Sequence, residues 1–317
     1  MEGLVKHDID NKKDKIGKTL QTIITKLSDL GYKVSWKVLN AADFGLPQAR
    51  KRVFIVGTLD AEISLDSFEV KHKKIKTILE KGLPSMKTKF TDLLLKHFSI
   101  EDLYGKSIKD KRGGADNIHS WDIGLKGAIS KEQNILLNKL FKARRNKKWS
   151  AEIGIDWMDG VPLTQKQIAT FYDSPNLKEM LDDLVQKKYL KFEHPKSLVT
   201  EYTLLGNKTF RKENKSLEAG YNIVSGKLSF EINKVLNPNG ITPTLVATDM
   251  ARLVVPDGDG LRRMTLREGL RLFGYPEWFQ LPVSVNDGFD LLGNTVAVTV
   301  VSAVAQRLAE VFETVLA

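Results

Sequence analysis

The sequence of 317 residues contains no cysteine. This absence excludes disulfide bonds, thiolate-bound metals and a cysteine nucleophile within these residues. The five histidines are scattered, and none has the H-x-x-x-H spacing of a helical metal site, so we expect no metal. No apolar run approaches the roughly 20 residues of a membrane span, and the N-terminus is polar with mixed charge, so we expect neither a membrane partner nor a signal peptide.

Positive charge is what the sequence has in excess. Its formal net charge is +10, which suits a polyanionic partner such as a nucleic acid. Basicity alone is weak support, since many soluble proteins are similarly basic. The length is enough for two domains with a sizeable core.

The first sixty residues predict a helix followed by a β-hairpin. Apolar residues fall at helical spacing over residues 16–30, and Gly31 ends the helix. The alternating segment Tyr32–Val38 predicts one strand, and the apolar segment Arg52–Gly57 predicts a second after a turn. A helix and a hairpin alone are too little to bury their own apolar faces.

The C-terminal segment predicts two helices separated by a short polar turn. Thr265 and Glu268 have the spacing of a capping box, and Gly274 ends the helix that this box begins. Further on, Gly293–Val296 would let a backbone approach closely and would offer polar contacts at the start of an apolar C-terminal helix. The alternative is a surface turn that caps this helix.

Three segments resemble motifs of the cytosine-5 DNA methyltransferases, and they stand in that family's order. Residues 43–52 resemble its Q-x-R-x-R motif, with a strand following. Arg262–Tyr275 resembles R-x-L-T-x-R-E-x-x-R-L-x-G-[FY]-P, with Met264 at the leucine position, and Gly293–Val296 resembles the final G-N-[ST]-V motif. The resemblance implies methyl transfer from S-adenosylmethionine to a cytosine that is flipped out of duplex DNA.

The same resemblance implies two groups of site residues. Gln48, Arg50 and Arg52 are predicted at the catalytic site. Arg52 would lie nearest the flipped base, because a planar guanidinium can reach a base carbonyl with fixed geometry. The cofactor, S-adenosylmethionine, is predicted to lie under Asn294, Thr295 and Val296. A basic turn on a solvated surface is the alternative reading of the arginines.

Further residues are predicted to contact DNA: Lys111, Arg112, Gly113, Lys208, Arg211, Lys212, Thr244 and Leu245. The first three form a basic loop with glycines, which lets a backbone approach a phosphate or a base edge. A flexible surface loop explains this sequence equally well. The next three are predicted phosphate contacts, and the last two lie in a segment that resembles the end of the family's target-recognition domain.

We predict an α/β fold in which residues 1–60 and 261–317 form part of a class I S-adenosylmethionine-dependent methyltransferase fold, namely its C-terminal hairpin and last helix. Residues 61–260 would form a mixed α+β target-recognition domain. Within it, helices and a strand pair over about residues 125–205 predict a winged-helix-like insertion. We do not assign residues 176–188 as a DNA-recognition helix, because its outer carboxylates would face phosphates unfavourably.

The family's Gly-rich cofactor loop, Pro-Cys nucleophile loop and Glu-Asn-Val carboxylate have no counterpart in this sequence. We therefore expect the DNA-recognition and site-completing half of a DNA (cytosine-5)-methyltransferase, inactive alone, within a restriction–modification system of the bacterial cytoplasm and nucleoid. A complementary methyltransferase chain would supply the missing loops and share the cofactor. In the family fold the strand Val53–Val56 lies inside a seven-stranded sheet, so without the partner it would be an unpaired edge. The alternatives are a catalytically inactive DNA-binding protein and a non-functional fragment.

Overall fold

The computed structural model describes residues 2–8, 16–110, 117–155, 160–203, 206–224, 230–246 and 250–316. The chain divides into two compact units. Unit 1 comprises Met1–Lys87, Ile100–Lys106 and Ile232–Ala317, and unit 2 comprises Thr88–Ser99 and Ser107–Glu231.

The helices are α1 (Glu2–Lys6), α2 (Lys18–Asp29), α3 (Lys89–His97), α4 (Lys131–Ala143), α5 (Lys147–Glu152), α6 (Gln165–Ala169), α7 (Leu177–Gln186), α8 (Leu266–Phe273), α9 (Val285–Asn294) and α10 (Val298–Leu316). The strands are β1 (Lys33–Asn40), β2 (Lys51–Thr58), β3 (Ser107–Ile108), β4 (Asn117–Ile118), β5 (Leu190–Glu193), β6 (Lys196–Thr203), β7 (Gly206–Glu213), β8 (Gly220–Ile223), β9 (Lys234–Val235), β10 (Leu253–Asp257) and β11 (Gly260–Arg263).

Unit 1 begins with the predicted helix and hairpin. Helix α2 ends before Gly31, whose φ of 89° lies in the left-handed region that glycine adopts at little cost. Strands β1 and β2 pair antiparallel, with Trp36 opposite Ile55. The buried side chains Leu39 and Val56 pack in one cluster with residues of α10. The predicted helix and β-hairpin of the first sixty residues are therefore confirmed.

The hairpin is a sheet of two strands in the part of the chain that the structure describes. Each strand therefore has one edge without a strand partner. Unpaired edges expose a row of backbone donors and acceptors that can pair with another chain.

Helix α8 forms around the predicted capping box. The Thr265 side chain accepts from the Glu268 N–H, and the Glu268 carboxylate accepts from the Thr265 N–H. Gly274 ends the helix with a φ of 81°, and a Cβ atom there would lie 2.9 Å from Cγ2 of Thr299. Only glycine fits this position without strain. The buried face of α8 packs with Leu253 and Phe289 in the second cluster of unit 1.

A buried ionic network links the start of α8 to strands β10 and β11, which pair antiparallel. The Arg262 side chain is 3% exposed and donates to Asp257 and to both oxygens of Glu268. Burial alone would lower the pKa of Arg262, but these hydrogen bonds raise it. The Glu80 carbonyl also accepts from Arg262, and Thr265 donates to the Glu80 carboxylate. Buried charges are tolerated because they are paired in this way.

Unit 2 is built around one apolar cluster, in which the inner faces of α4, α6 and α7 pack on β5 and β8. Ser130 with Gln133 and Thr164 with Gln167 also have the spacing of a capping box in the sequence. Both boxes form, the first at the start of α4 and the second at the start of α6. On α7, the carboxylates Asp182 and Asp183 are hydrogen-bonded inside the unit, to Tyr221 and Gln133 among others.

The strand pair on which the winged-helix prediction depended is not formed. Strand β5 pairs with β8, and β6 pairs with β7 in a separate hairpin. The alternation of apolar and polar residues marked these segments as strands but carried no information on which strand each one pairs with.

The two compact units do not coincide with the predicted domains, whose boundaries stay a prediction. Residues 61–87 and 232–260, which we assigned to the target-recognition domain, pack in unit 1. Ile63 and Leu65 join the cluster of the hairpin and α10, and Ile75, Leu236 and Leu245 join the cluster of α8. These side chains lie outside the predicted helices and strands, with Ile75 in a short 3₁₀ helix, so no long periodic pattern indicated their burial.

The C-terminal segment Val285–Glu313 is long and apolar enough to cross a membrane by length and composition alone. In its most apolar part, 33% of the residues are buried. Residues 295–297 interrupt this stretch, and Val300 and Val304 of α10 are buried in the unit 1 core. We therefore interpret α10 as a core helix with an apolar face left at the surface, where Val301 and Phe312 are exposed.

The network around Arg262 predicts a loss of stability at acid pH. The Arg262 guanidinium and the N–H groups of Gly82 and Leu83 hold the pKa of Asp257 below its usual range. Because the folded pKa is depressed, the stabilisation is complete above the unfolded value of about 4 and is lost as pH falls through the folded value. Asp257→Asn should reduce the free energy of unfolding by about 1–3 kcal/mol at pH 7.

Urea unfolding between pH 7 and pH 2.5 measures this difference. It should shrink towards zero at the acid end, whereas Asp259→Asn, an exposed control on the same turn, should leave stability unchanged throughout. An equal effect of Asp257→Asn at every pH would show that the charge of Asp257 is irrelevant.

Candidate active site

The segment between β1 and β2 is held against residues 242–245 of unit 1. The Ala49 N–H donates to the Thr242 carbonyl, and the Thr242 N–H donates to the Pro47 carbonyl, both at 2.8 Å. The Thr244 hydroxyl donates to the Ala49 carbonyl at 2.6 Å. This short parallel pairing fixes the backbone from which the three predicted catalytic side chains project.

Gln48 is buried, with 1% of its surface exposed. Its Nε2 donates to the Leu272 carbonyl at 3.2 Å, while Oε1 has no partner in the described residues. The Thr242 hydroxyl, on the neighbouring segment, is likewise buried without a described partner. Buried polar groups without partners are costly, so an ordered water or a further protein group is expected at this junction.

Arg50 is also buried, with 3% exposed, and its guanidinium is occupied. It donates to the carbonyls of Leu245 at 3.1 Å, Gly293 at 3.1 Å and Thr295 at 2.7 Å. Its Cζ lies 5.1 Å from the centre of the Phe273 ring. Burial and the neighbouring Arg52 lower the pKa of Arg50 to about 10, so it stays cationic at neutral pH. We call Arg50 with these three carbonyls the Arg50 clamp.

Arg52 differs from Arg50 in its environment although it stands only two residues further along the chain, in strand β2. Its one hydrogen bond in the described structure is from Nη1 to the carbonyl of its neighbour Lys51, at 2.8 Å. Partial burial lowers the pKa of Arg52, which remains a cation. A guanidinium has five N–H donors, so most of those on Arg52 are available to a ligand.

The predicted cofactor residues lie at the end of helix α9 and not at a helix start as expected. Asn294 is the last residue of α9, and Thr295 is its C-cap. The Thr295 hydroxyl lies 3.0 Å from the Tyr275 hydroxyl, and the Asn294 amide donates to the Asp290 carbonyl. The Val296 side chain is 50% exposed. An amide oxygen and an apolar side chain are thus presented next to the carbonyl groups that Arg50 holds.

Two of the predicted DNA contacts lie beside this site. Thr244 is exposed, and its hydroxyl is the one that bonds Ala49. Leu245 is 3% exposed and packs in the core, while its carbonyl accepts from Arg50. In the structure both residues help to hold the candidate active site in place. Their contact with DNA stays a prediction.

The other predicted DNA contacts belong to unit 2. Lys111, Arg112 and Gly113 lie outside the described residues. Lys208, Arg211 and Lys212 lie on β7 of the β6–β7 hairpin, where Lys208 is opposite Glu201 and Lys212 is opposite Ser197. Side chains alternate between the two faces of a strand, so Arg211 projects on the other face from the two lysines. Their role in DNA binding stays a prediction.

The sequence interpretation missed two contributors to the site. It identified Arg50 as a catalytic group without indicating that its partners would be main-chain carbonyls, which have no residue-specific signature. It also missed the contact between Tyr275 and Thr295, although both stand in the motifs that we had identified. The signal was present in the phenolic hydroxyl of Tyr275, since such a group usually finds a partner when partly buried.

Comparison with known proteins assigns the chain to a family. A family profile described as C-5 cytosine-specific DNA methylase matches residues 2–310. The chain belongs to this family. The match covers nearly the whole of this chain, which is far more than the three segments that carry the motifs. Membership of a methylase family that uses S-adenosylmethionine makes this molecule the expected cofactor.

Curated relatives support the same assignment. The chain is 55% identical over 308 residues to the type II methyltransferase M.NlaIV of Neisseria lactamica, covering 97% of this chain and 71% of the relative. It is 54% identical over 309 residues to M.NgoBV of Neisseria gonorrhoeae, with the same coverage. It is 36% identical to M.BanI of Aneurinibacillus aneurinilyticus, covering 69% of that protein. The chain therefore spans about seven tenths of the length of these relatives.

Solved structures of methyltransferases are matched more weakly. The Dnmt2 methyltransferase of S. pombe is 14% identical with a TM-score of 0.38, and the match covers 94% of this chain and 63% of that one. The methyltransferase EhMeth of Entamoeba histolytica is 13% identical with a TM-score of 0.37, over 93% and 59% of the two chains. Similarity at this level carries no argument about the fold.

The Arg50 clamp predicts a large loss of stability on substitution of Arg50 and almost none on substitution of Arg52. Arg50→Met should lower the free energy of unfolding by about 3 kcal/mol or more, because three carbonyl groups lose a cationic donor at about 1–3 kcal/mol each. Arg52→Met should change it by less than about 0.5 kcal/mol, as expected for a side chain without tertiary hydrogen bonds. Guanidinium chloride unfolding of the two variants and the parent compares them directly. Equal destabilisation by both would contradict the assignment of Arg50 as the anchor.

Proposed function

We propose that this chain is the DNA-recognition and site-completing part of a DNA (cytosine-5)-methyltransferase. It would act with S-adenosylmethionine on a cytosine in a specific duplex sequence, in the cytoplasm of a bacterium and within a type II restriction–modification system. Family membership supports the reaction class, and the printed names of the Neisseria relatives support the type II assignment. The observation that carries the proposal is the Arg50 clamp, which fixes the strand of Arg52 to the turn that ends α9.

Arg52 is the residue that we assign to the flipped cytosine. A cytosine inside a duplex hides its ring carbons in the stack, so the base must leave the helix before it can be methylated. The guanidinium of Arg52 projects from a rigid strand and keeps N–H donors that can bind the O2 carbonyl of the base and an adjacent phosphate. Gln48 and Arg50 act in this proposal as positioning residues, because both side chains are buried.

The residues at the end of α9 fit the cofactor. Asn294 is exposed and uses its amide nitrogen on Asp290, so its amide oxygen can accept a hydrogen bond from the ammonium group of S-adenosylmethionine. The exposed side chain of Val296 offers apolar contact. The bound cofactor would supply the methyl group, while this chain would orient the cofactor and exclude water from it.

A cysteine nucleophile and the glutamate of the Glu-Asn-Val motif would come from protein outside these 317 residues, since this sequence contains neither a cysteine nor a Glu-Asn-Val segment. We propose a separate, complementary methyltransferase chain as their source. Two observations support a large protein contact: the hairpin edges that have no strand partner in the described residues, and the exposed apolar side chains Val301 and Phe312 on α10. The family match itself does not require two chains, so this part of the proposal depends on those surfaces.

The decisive measurement is the transfer of a labelled methyl group from S-adenosylmethionine to duplex DNA. It should be run with this chain alone, with the complementary chain alone and with both. We expect activity only in the mixture, and a reduction of at least about 100-fold for Arg52→Ala, because the base loses its charged donor. Arg52→Lys should recover only part of the activity, since an ammonium group cannot bind two acceptors in a plane.

Lys51→Ala, the exposed neighbour on β2, is the matched control and should retain activity in the mixture. Activity of this chain alone would refute the need for a partner. Sequence-specific DNA binding with no methyl transfer in any mixture would instead favour a binding protein that has lost catalysis.

The apolar face of α10 gives a separate prediction. Val301 and Phe312 are about three helical turns apart and therefore lie on one face. Val301→Asp should leave this chain folded, because the side chain is 39% exposed, but should reduce the activity of the mixture by at least about tenfold by charging the contact. Ser302→Asp, on the neighbouring exposed position, is the control with the same added charge. Pull-down of the complementary chain, together with circular dichroism, separates lost association from lost folding.

A further inference from the structure

The most concentrated positive charge in the sequence lies in unit 2, whereas the residues assigned to the candidate active site belong to unit 1. Six of the ten residues Lys139–Lys148 are lysine or arginine, and none is acidic. They cover the end of α4 and the start of α5. Only Arg144 is turned inward, at 4% exposure, where it donates to the Asn222 side chain. We call the other five the basic patch: Lys139, Lys142, Arg145, Lys147 and Lys148.

Aromatic rings and main-chain groups hold several of these cations in place. The Arg145 guanidinium lies 4.6 Å from the centre of the Phe141 ring, and Lys148 Nζ lies 3.8 Å from that of Trp149. Lys139 Nζ donates to the Phe171 carbonyl at 3.3 Å. Such contacts orient the long side chains without neutralising their charge.

Carboxylates do not compensate the lysines of the patch. In the described structure, Lys142, Lys147 and Lys148 have no carboxylate within salt-bridge distance. Helix α7 of the same unit shows the ordinary arrangement, in which Lys178 pairs with Asp182 and Lys187 pairs with Asp183 at i,i+4 spacing. The contrast within one unit argues that the patch is more than a solvated helix face.

Three cations of the patch line a shallow open depression of about 550 Å³, whose walls are Lys139, Lys142, Ala143, Arg145, Asn146 and Phe171. Cations at its rim and an aromatic side chain in its wall suit a sugar–phosphate backbone better than a small anion. An isolated anion would be bound by a few converging donors in a closed site, whereas this surface is open and extended.

We propose that the basic patch binds the phosphate backbone of duplex DNA independently of sequence. The inference rests on the proposed function, which supplies the duplex as the polyanion. Phosphate contacts of this kind set the register of a protein on DNA without reading bases. The patch would therefore contribute affinity and orientation, and specificity would be determined elsewhere in the chain.

The test uses the full chain and the variant Lys142→Gln, Lys147→Gln, Lys148→Gln. Its control carries the same loss of charge at exposed lysines of unit 1: Lys73→Gln, Lys74→Gln, Lys76→Gln. Binding to two fluorescent duplexes of equal length and unrelated sequence is measured by anisotropy between 50 and about 200 mM salt. The slope of log K against log salt counts the phosphates contacted, at about 0.9 for each one.

We expect the patch variant to lose about 2 to 3 in this slope and at least about tenfold in affinity, by the same factor on both duplexes, while the control keeps the parental slope. Replacing the same three lysines with arginine should restore the slope, since charge is retained. An unchanged slope in the patch variant would overturn the proposal. Equal losses in the control variant would also overturn it, because the effect would then be one of net charge.

Binding to duplex RNA of the same length is measured as well, to test whether the patch prefers a different polyanion. If the patch variant lost affinity for RNA but not for DNA, the proposal would be wrong in its partner. The outcome for the proposed function is separate: absence of duplex binding by the parental chain would count against DNA recognition as a whole. If the patch variant kept the parental slope of log K against log salt and the mixture still transferred methyl groups, the proposal for the patch would be wrong and the proposed function would stand.

Discussion

The candidate active site depends on one buried guanidinium. Arg50 reaches the carbonyls of Leu245, Gly293 and Thr295, which are about two hundred residues or more away along the chain. A buried cation is costly unless it is hydrogen-bonded, and the three carbonyl acceptors hold these segments next to one another. The backbone that leads into the strand of Arg52 is thereby linked to the turn assigned to the cofactor.

The two arginines of the motif show how different environments give identical side chains different roles. The two terminal nitrogens of Arg50 donate to main-chain carbonyls, whereas Arg52 is left with free donors. If both were exposed, the turn would have no anchor. If both were buried, no guanidinium would remain for a substrate. Unit 2 repeats the division, because Arg144 is used internally while the basic patch around it stays at the surface.

Local structure was predictable from the sequence where it depends on local rules. The capping boxes at Ser130, Thr164 and Thr265 appeared as expected, as did the hairpin and the left-handed glycine at Gly274. Long-range pairing was not predictable. Strand β5 pairs with β8 because of packing across the unit, and the partners of Arg50 are carbonyl groups that every residue carries. The motifs indicated which residues belong to the site but not which of them anchor it.

Glu268 shows how strictly hydrogen bonding can determine a residue. Its two oxygens accept four hydrogen bonds: two from Arg262, one from the Glu80 N–H and one from the Thr265 N–H. Glutamine would turn an NH₂ group towards donors, and aspartate is one methylene too short to span them. No other amino acid provides this set of acceptors at this reach. Invariance of this glutamate among relatives would therefore report the demands of folding, and a motif position that looks catalytic in an alignment would be a structural one.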